Sequence, residues 1–149
     1  MALHPNTRTG TVYLGSGTKQ MHVKNDTGGD LAAGFVGRLL PGGADGMEIV
    51  AISTSTGDTQ QLVVCVTDIV DGEFGRVHLE GSGIVATVAS SNFTVGNGIE
   101  VSNGSTAVID SGDAFDMDDA TEFAEVEVGG TGVTSITISL FSFRKDVVA

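Results

Sequence analysis

The sequence predicts an all-β fold: a compact single-domain barrel or sandwich of short antiparallel strands, preceded by an extended N-terminal arm. Three observations lead there. Residues 62–85 set two runs rich in Val, Leu and Ile around Asp71-Gly72 and follow them with Gly81-Ser82-Gly83, the pattern of a tight meander. Glycine supplies 22 of the 149 residues and proline 2, about twice the usual glycine content of roughly 7%. No Gly-X-Y period appears, so frequent tight turns account for the excess. No window of eleven or more residues holds a sustained 3.6-residue apolar period, so helix is limited to one or two turns within residues 114–124.

The elements follow in chain order. Residues 1–20 mix Thr, Gly and Asn with isolated apolar side chains and read as an arm, with Val12, Tyr13 and Leu14 as its apolar anchor. Residues 21–149 form the β-rich domain. A first strand covers 21–23, and Asn25-Asp26-Thr27-Gly28-Gly29-Asp30 makes a turn from side chains that bond to nearby backbone. The apolar run 31–40 is broken by Pro41-Gly42-Gly43, and 47–52 is a short apolar segment leading to a Ser/Thr loop. In the meander, Asp71-Gly72 supplies the positive dihedrals of a hairpin turn, and Gly81-Ser82-Gly83 turns the chain again between two strands.

Short apolar or alternating runs then recur at 84–89, 98–101, 106–109, 122–128 and 133–143, a spacing of about ten residues that suits a barrel or sandwich. In the last of them, Ile136, Ile138 and Leu140 share one face by period two. Thr137, Ser139, Phe141 and Phe143 occupy the other. Two aromatics on an outer face need cover, from the chain's own arm or from a neighbouring subunit.

Composition narrows the function. With 7 basic against 19 acidic residues the net charge is −12, which argues against nonspecific nucleic-acid binding, because phosphates require a basic face. The charge is uneven: residues 1–40 hold four basic and two acidic side chains, whereas 77–143 hold ten acidic and no basic ones. Cys65 is the single cysteine, so no intrachain disulfide forms. No apolar leader opens the sequence and no run approaches a membrane span, so the expectation is a protein made in the cytoplasm with no membrane partner. The triplets beginning at Asn25, Asn92 and Asn103 then read as turns rather than glycosylation sites.

The search for chemistry returns little. Asp110, Asp113, Asp116, Asp118 and Asp119 form the sharpest cluster, since hard cations take several carboxylates from one loop. The spacing departs from an EF-hand: Ala120 stands at the third ligand position and Thr121 at the turn glycine. A solvated acidic loop is the preferred reading, and no metal or cofactor is expected. Gly81-Ser82-Gly83-Ile84-Val85-Ala86 matches the letters of a dinucleotide fingerprint, yet branched residues follow where a helix should open. His78, alternating with Arg76 and Glu80, is expected on an exposed strand face, and His22 on the outward side of the first strand. Cys65 between Val64 and Val66 reads as a small core residue. No nucleophile elbow, zinc spacing or P-loop occurs, and a chain with no Trp and one Tyr lacks the aromatic platforms of a sugar site. No catalytic residue is assigned.

One resemblance adds to these readings. The succession Leu31-Ala32-Ala33-Gly34, the Val-rich run at 62–66, the stretch from Asp68 to Val77, Gly81-Ser82-Gly83-Ile84-Val85 and Phe93-Thr94-Val95-Gly96-Asn97-Gly98 resembles the capsid cement, or decoration, proteins of tailed bacteriophages over residues 21–143. The resemblance implies a β-barrel or tulip-like domain on the outer capsid surface, bound to the major capsid protein, commonly as a homotrimer, with no enzymatic role. Contacts to capsid or neighbouring subunits are then expected from Arg8, Val12, Tyr13, Leu14, Lys19 and Lys24 of the arm and first strand, and from Phe141 and Phe143. A head fibre or tail accessory protein of the virion, and a calcium-dependent surface binding module, are the alternatives.

Overall fold

The computed structural model describes residues 11–13, 18–53, 60–142 and 144–148. Arg8, Leu14 and Phe143 lie outside them. The described chain is all-β: β1 (Thr11–Tyr13), β2 (Lys19–Asn25), β3 (Val36–Pro41), β4 (Met47–Val50), β5 (Gln60–Cys65), β6 (Phe74–Thr87), β7 (Asn92–Phe93), β8 (Asn97–Val101), β9 (Val108–Ala114), β10 (Ala124–Val128), β11 (Gly130–Thr131), β12 (Ser135–Leu140) and β13 (Arg144–Lys145). The helical content of these residues is one 3-10 turn at Gly43–Asp45. Residues 114–124, the one stretch where the sequence left room for at most a turn or two of helix, form none. There the chain leaves β9 through a turn at Met117 and Asp118, because Asp and Thr side chains bond locally to the backbone and displace the helical ladder.

Strands β2, β4, β3, β5 and β6 are paired in that order, and β2 pairs back on β6, which closes a five-stranded barrel. The β2–β4 pair is parallel; the other barrel pairs are antiparallel. Beyond β6 the sheet continues through β12, β10, β8 and β9 as a second layer, and β13 adds to β5.

This arrangement explains the unbroken apolar run of β5. Val63 and Cys65 join Val23, Ile49, Ile69, Val77 and Leu79 in a core of their own. Leu62 and Val64 face the other way, into a larger core with Val36, Ile84, Ile99, Phe123, Ile136, Ile138 and Leu140. A strand buried on both faces shows no polar alternation. Strand β12 does alternate, with Ile136, Ile138 and Leu140 buried as expected.

Two expectations for the meander are corrected. Gly81-Ser82-Gly83 is no turn: β6 runs through it for 14 residues, its first part in the barrel and its second on β12. From Ile138↔Ile84 to Leu140↔Gly81, β6 advances one residue more than β12. That is a β-bulge, and left-handed Gly83, φ +72°, lies within it. At Asp71-Gly72 the positive dihedral belongs to Gly72 alone, φ +81°. Glu73 N–H closes the turn on the Val70 carbonyl at 3.0 Å, the pattern of a turn with glycine at its third position.

Candidate functional site

The acidic loop is built from side chains that cap their own backbone. Asp110 accepts hydrogen bonds from Thr94 N at 2.8 Å, Asn97 Nδ2 at 2.8 Å and Gly112 N at 2.7 Å. Burial opposes its charge, but these three donors outweigh it and hold the carboxyl below the ordinary aspartate value. Asp116 accepts from Asp118 N at 2.9 Å, and Asp119 from Thr121 N and Oγ1 at 2.8 and 2.7 Å. The Thr121 bonds hold Asp119 below its ordinary value too. Buried Glu122 accepts from Asp116 N at 2.6 Å.

From the far side, Lys145, 6% exposed, donates to the carbonyls of Met117 at 2.7 Å and Asp119 at 2.6 Å. Acidic side chains here fold a loop whose tip, Asp116-Met117-Asp118, stands in solvent. Among the described residues no group of three or more His, Cys, Asp or Glu is placed to hold a metal ion.

The other candidate groups are scattered. Cys65 is buried, and burial pushes its thiol up to about 12, with Asp68 adding to the effect, so the reactive thiolate is suppressed at neutral pH. His78 is half-buried rather than exposed, and its Nδ1 has no hydrogen-bond partner. Burial first, then neighbouring Arg76, holds its imidazole below the ordinary histidine value. The difference arises because His78 stands opposite Val64, which belongs to the large core.

The expected contact residues fall into two groups. Val12 and Tyr13 lie in β1, opposite Gln20 and Lys19 of β2. Lys19 pairs in turn with Glu80, its Nζ 3.7 Å from the carboxylate. Glu80, Gly81, Ser82, Ser139, Leu140 and Phe141 line a shallow groove of about 340 Å³. Lys19 and Phe141 thus both adjoin Glu80, the first by its ion pair and the second along the groove. Phe141 already has cover from its own chain: Phe115 stacks on it with ring centroids 4.9 Å apart. Lys24 is at the other end of β2, hydrogen-bonded to Asp45 at 2.9 Å, which raises its pKa.

Pattern reading missed a second aromatic pair. Exposed His22 stacks on Phe74 with centroids 5.7 Å apart and planes 7° from parallel. On the same outer wall, Arg76 stands directly opposite His22. The signal was present in the alternation Phe74, Arg76, His78, but only the β2–β6 register brings His22 to it.

No protein-family model matches the chain, and no curated protein matches it in sequence. In three dimensions it is similar to the head fiber gp8.5 N base in bacteriophage phi29, with a TM-score of 0.54 and 15% sequence identity. The match covers 84% of this chain and 95% of that one. At this identity the likeness is one of fold.

Proposed function

We propose that the chain is a non-catalytic structural protein of a phage virion that binds the outside of the head and stabilises contacts between major capsid proteins. The observation that carries this is the fold shared with a head fibre base along nearly all of that base's length. The site chemistry is compatible with it: the acidic side chains are used to cap loops, Cys65 is suppressed as a nucleophile, and His78 has no partner at Nδ1. The candidates for contact with capsid or neighbouring subunits are Arg8, Val12, Tyr13, Leu14, Lys19 and Lys24, with Phe141 and Phe143. The chain acts as a homotrimer, so that several weak contacts engage together. It is made in the host cytoplasm and ends on the outer capsid surface, the acidic body facing solvent.

The neighbour's identity also favours a second reading, the base of a head fibre, with the same fold at discrete head positions. Adding gold-labelled protein to purified heads that lack it separates the two by electron microscopy. Label over the whole lattice supports decoration, label at isolated sites supports a fibre base, and bare heads overturn both.

A further inference from the structure

We propose that the His22, Phe74 and Arg76 face of the barrel is a docking site for the Asp116-Met117-Asp118 loop tip of a second copy of this chain. The acceptor lies on the outer wall of β2 and β6. Its Phe74 ring is 49% exposed although stacked on His22. Arg76 is exposed and makes no ion pair among the described residues, whereas Lys19 and Lys24 are engaged by Glu80 and Asp45. An aromatic face beside a free guanidinium is the composition from which protein contacts draw most of their energy.

The loop tip has the complementary chemistry. Met117 is 54% exposed and stands between two exposed carboxylates. The Asp118 carboxylate accepts no hydrogen bond among the described residues. A thioether packs favourably against an aromatic ring, and a carboxylate accepts a paired set of hydrogen bonds from arginine. The tip is also pre-set: Lys145 holds the carbonyls of residues 117 and 119, and Asp119 and Glu122 cap the backbone on either side. Such a tip loses little conformational freedom on binding.

A single copy does not satisfy its own site. Lys145, which holds the tip, pairs with Gln60 at one end of β5, whereas Arg76 bonds through its carbonyl to Val66 N just past the other end. Six residues of extended chain, from Gln60 to Val66, separate them by roughly 20 Å. Each copy therefore carries both a free donor and a free acceptor surface. Two different surfaces in contact make a head-to-tail association, which closes into a ring when the rotation permits.

The test is independent of whether the chain belongs to a virion, because it needs only the purified full-length protein. Sedimentation velocity over a concentration series is expected to show reversible self-association. Arg76→Glu and Asp118→Arg are each expected to weaken it by about tenfold or more, and the double variant is expected to recover most of the loss. Phe74→Ala tests the aromatic contribution separately. All of these side chains are exposed, so melting temperatures check that the variants fold. A parent chain that stays monomeric at every concentration overturns the proposal, including the case in which the face serves some other acidic protein. Single charge reversals that associate as tightly as the parent overturn it as well.

Discussion

The side-chain amide of Asn25, fully buried at the end of β2, donates a 2.8 Å hydrogen bond to the backbone carbonyl of Ile69, forty-four residues further along the chain. The same nitrogen donates to the Gly29 carbonyl at 2.8 Å, and Oδ1 accepts from Thr27 N at 3.0 Å and Thr27 Oγ1 at 2.7 Å. The backbone of Asn25 bonds to Glu73 O and Gly72 N, both at 2.9 Å. One side chain thus ties the 26–30 loop to the turn that opens β6. Asn25→Ala removes both amide bonds and the acceptor for Thr27, while Leu31 N still serves the Ile69 carbonyl and Thr27 Oγ1 the Gly29 carbonyl, so we expect a cost of about 1–2 kcal/mol, read as a lower urea midpoint. Asn25→Asp keeps the shape but points an acceptor at two carbonyls, so it is expected to be no better tolerated.

Gly72 supplies the left-handed residue of that turn, with open space where a side chain would stand. The cost of replacing it is therefore one of backbone conformation. Gly72→Val is expected to lose about 1–3 kcal/mol, and Gly72→Ala less, since a branched side chain resists positive φ more strongly. Equal melting temperatures for all three proteins would disprove the turn assignment.

His78 makes stability depend on pH. Burial, with Arg76 alongside, holds its folded pKa below the ordinary histidine value of 6.5. The unfolded chain binds the proton more readily, so the contribution of His78 is complete above 6.5 and is lost as pH falls through the lower folded value. The melting temperature of the parent is expected to fall between about pH 7 and about pH 5, and that of His78→Leu to fall less. Parallel curves would remove His78 as the responsible group.

Lys145 anchors the acidic loop through two carbonyls. Lys145→Met retains much of its length and apolar stem but no donor, and it leaves the carbonyls of Met117 and Asp119 without that partner. A loss of about 2 kcal/mol is expected, with faster amide exchange concentrated in residues 116–121. Uniform exchange across the chain would show that the anchor acts on the whole fold instead.

Strand class and the β12 pattern were legible without coordinates, because an apolar residue at every second position reports a half-buried strand from a few neighbours alone. The branched run at β5 was legible by another signal, an unbroken stretch of Leu and Val that suits a strand buried on both faces, and so was the setting of Cys65. The turn at Gly72 was half legible: its dipeptide marks a reversal, but which residue adopts positive φ depends on how the loop docks on Asn25. The acidic cluster was visible as composition, while its use in capping was not, since Glu122 and Lys145 enter from other segments.

Local pattern decides that this chain makes short strands and a core of small branched side chains, since both follow from contacts within a few residues. Folding alone decides that β6 crosses from barrel to second layer through a glycine bulge, that Phe115 covers Phe141, that Asn25 is buried, and that His22 meets Phe74. Each of these depends on strand register and on segments distant in sequence, and a one-residue shift in pairing would turn the same side chains to opposite faces.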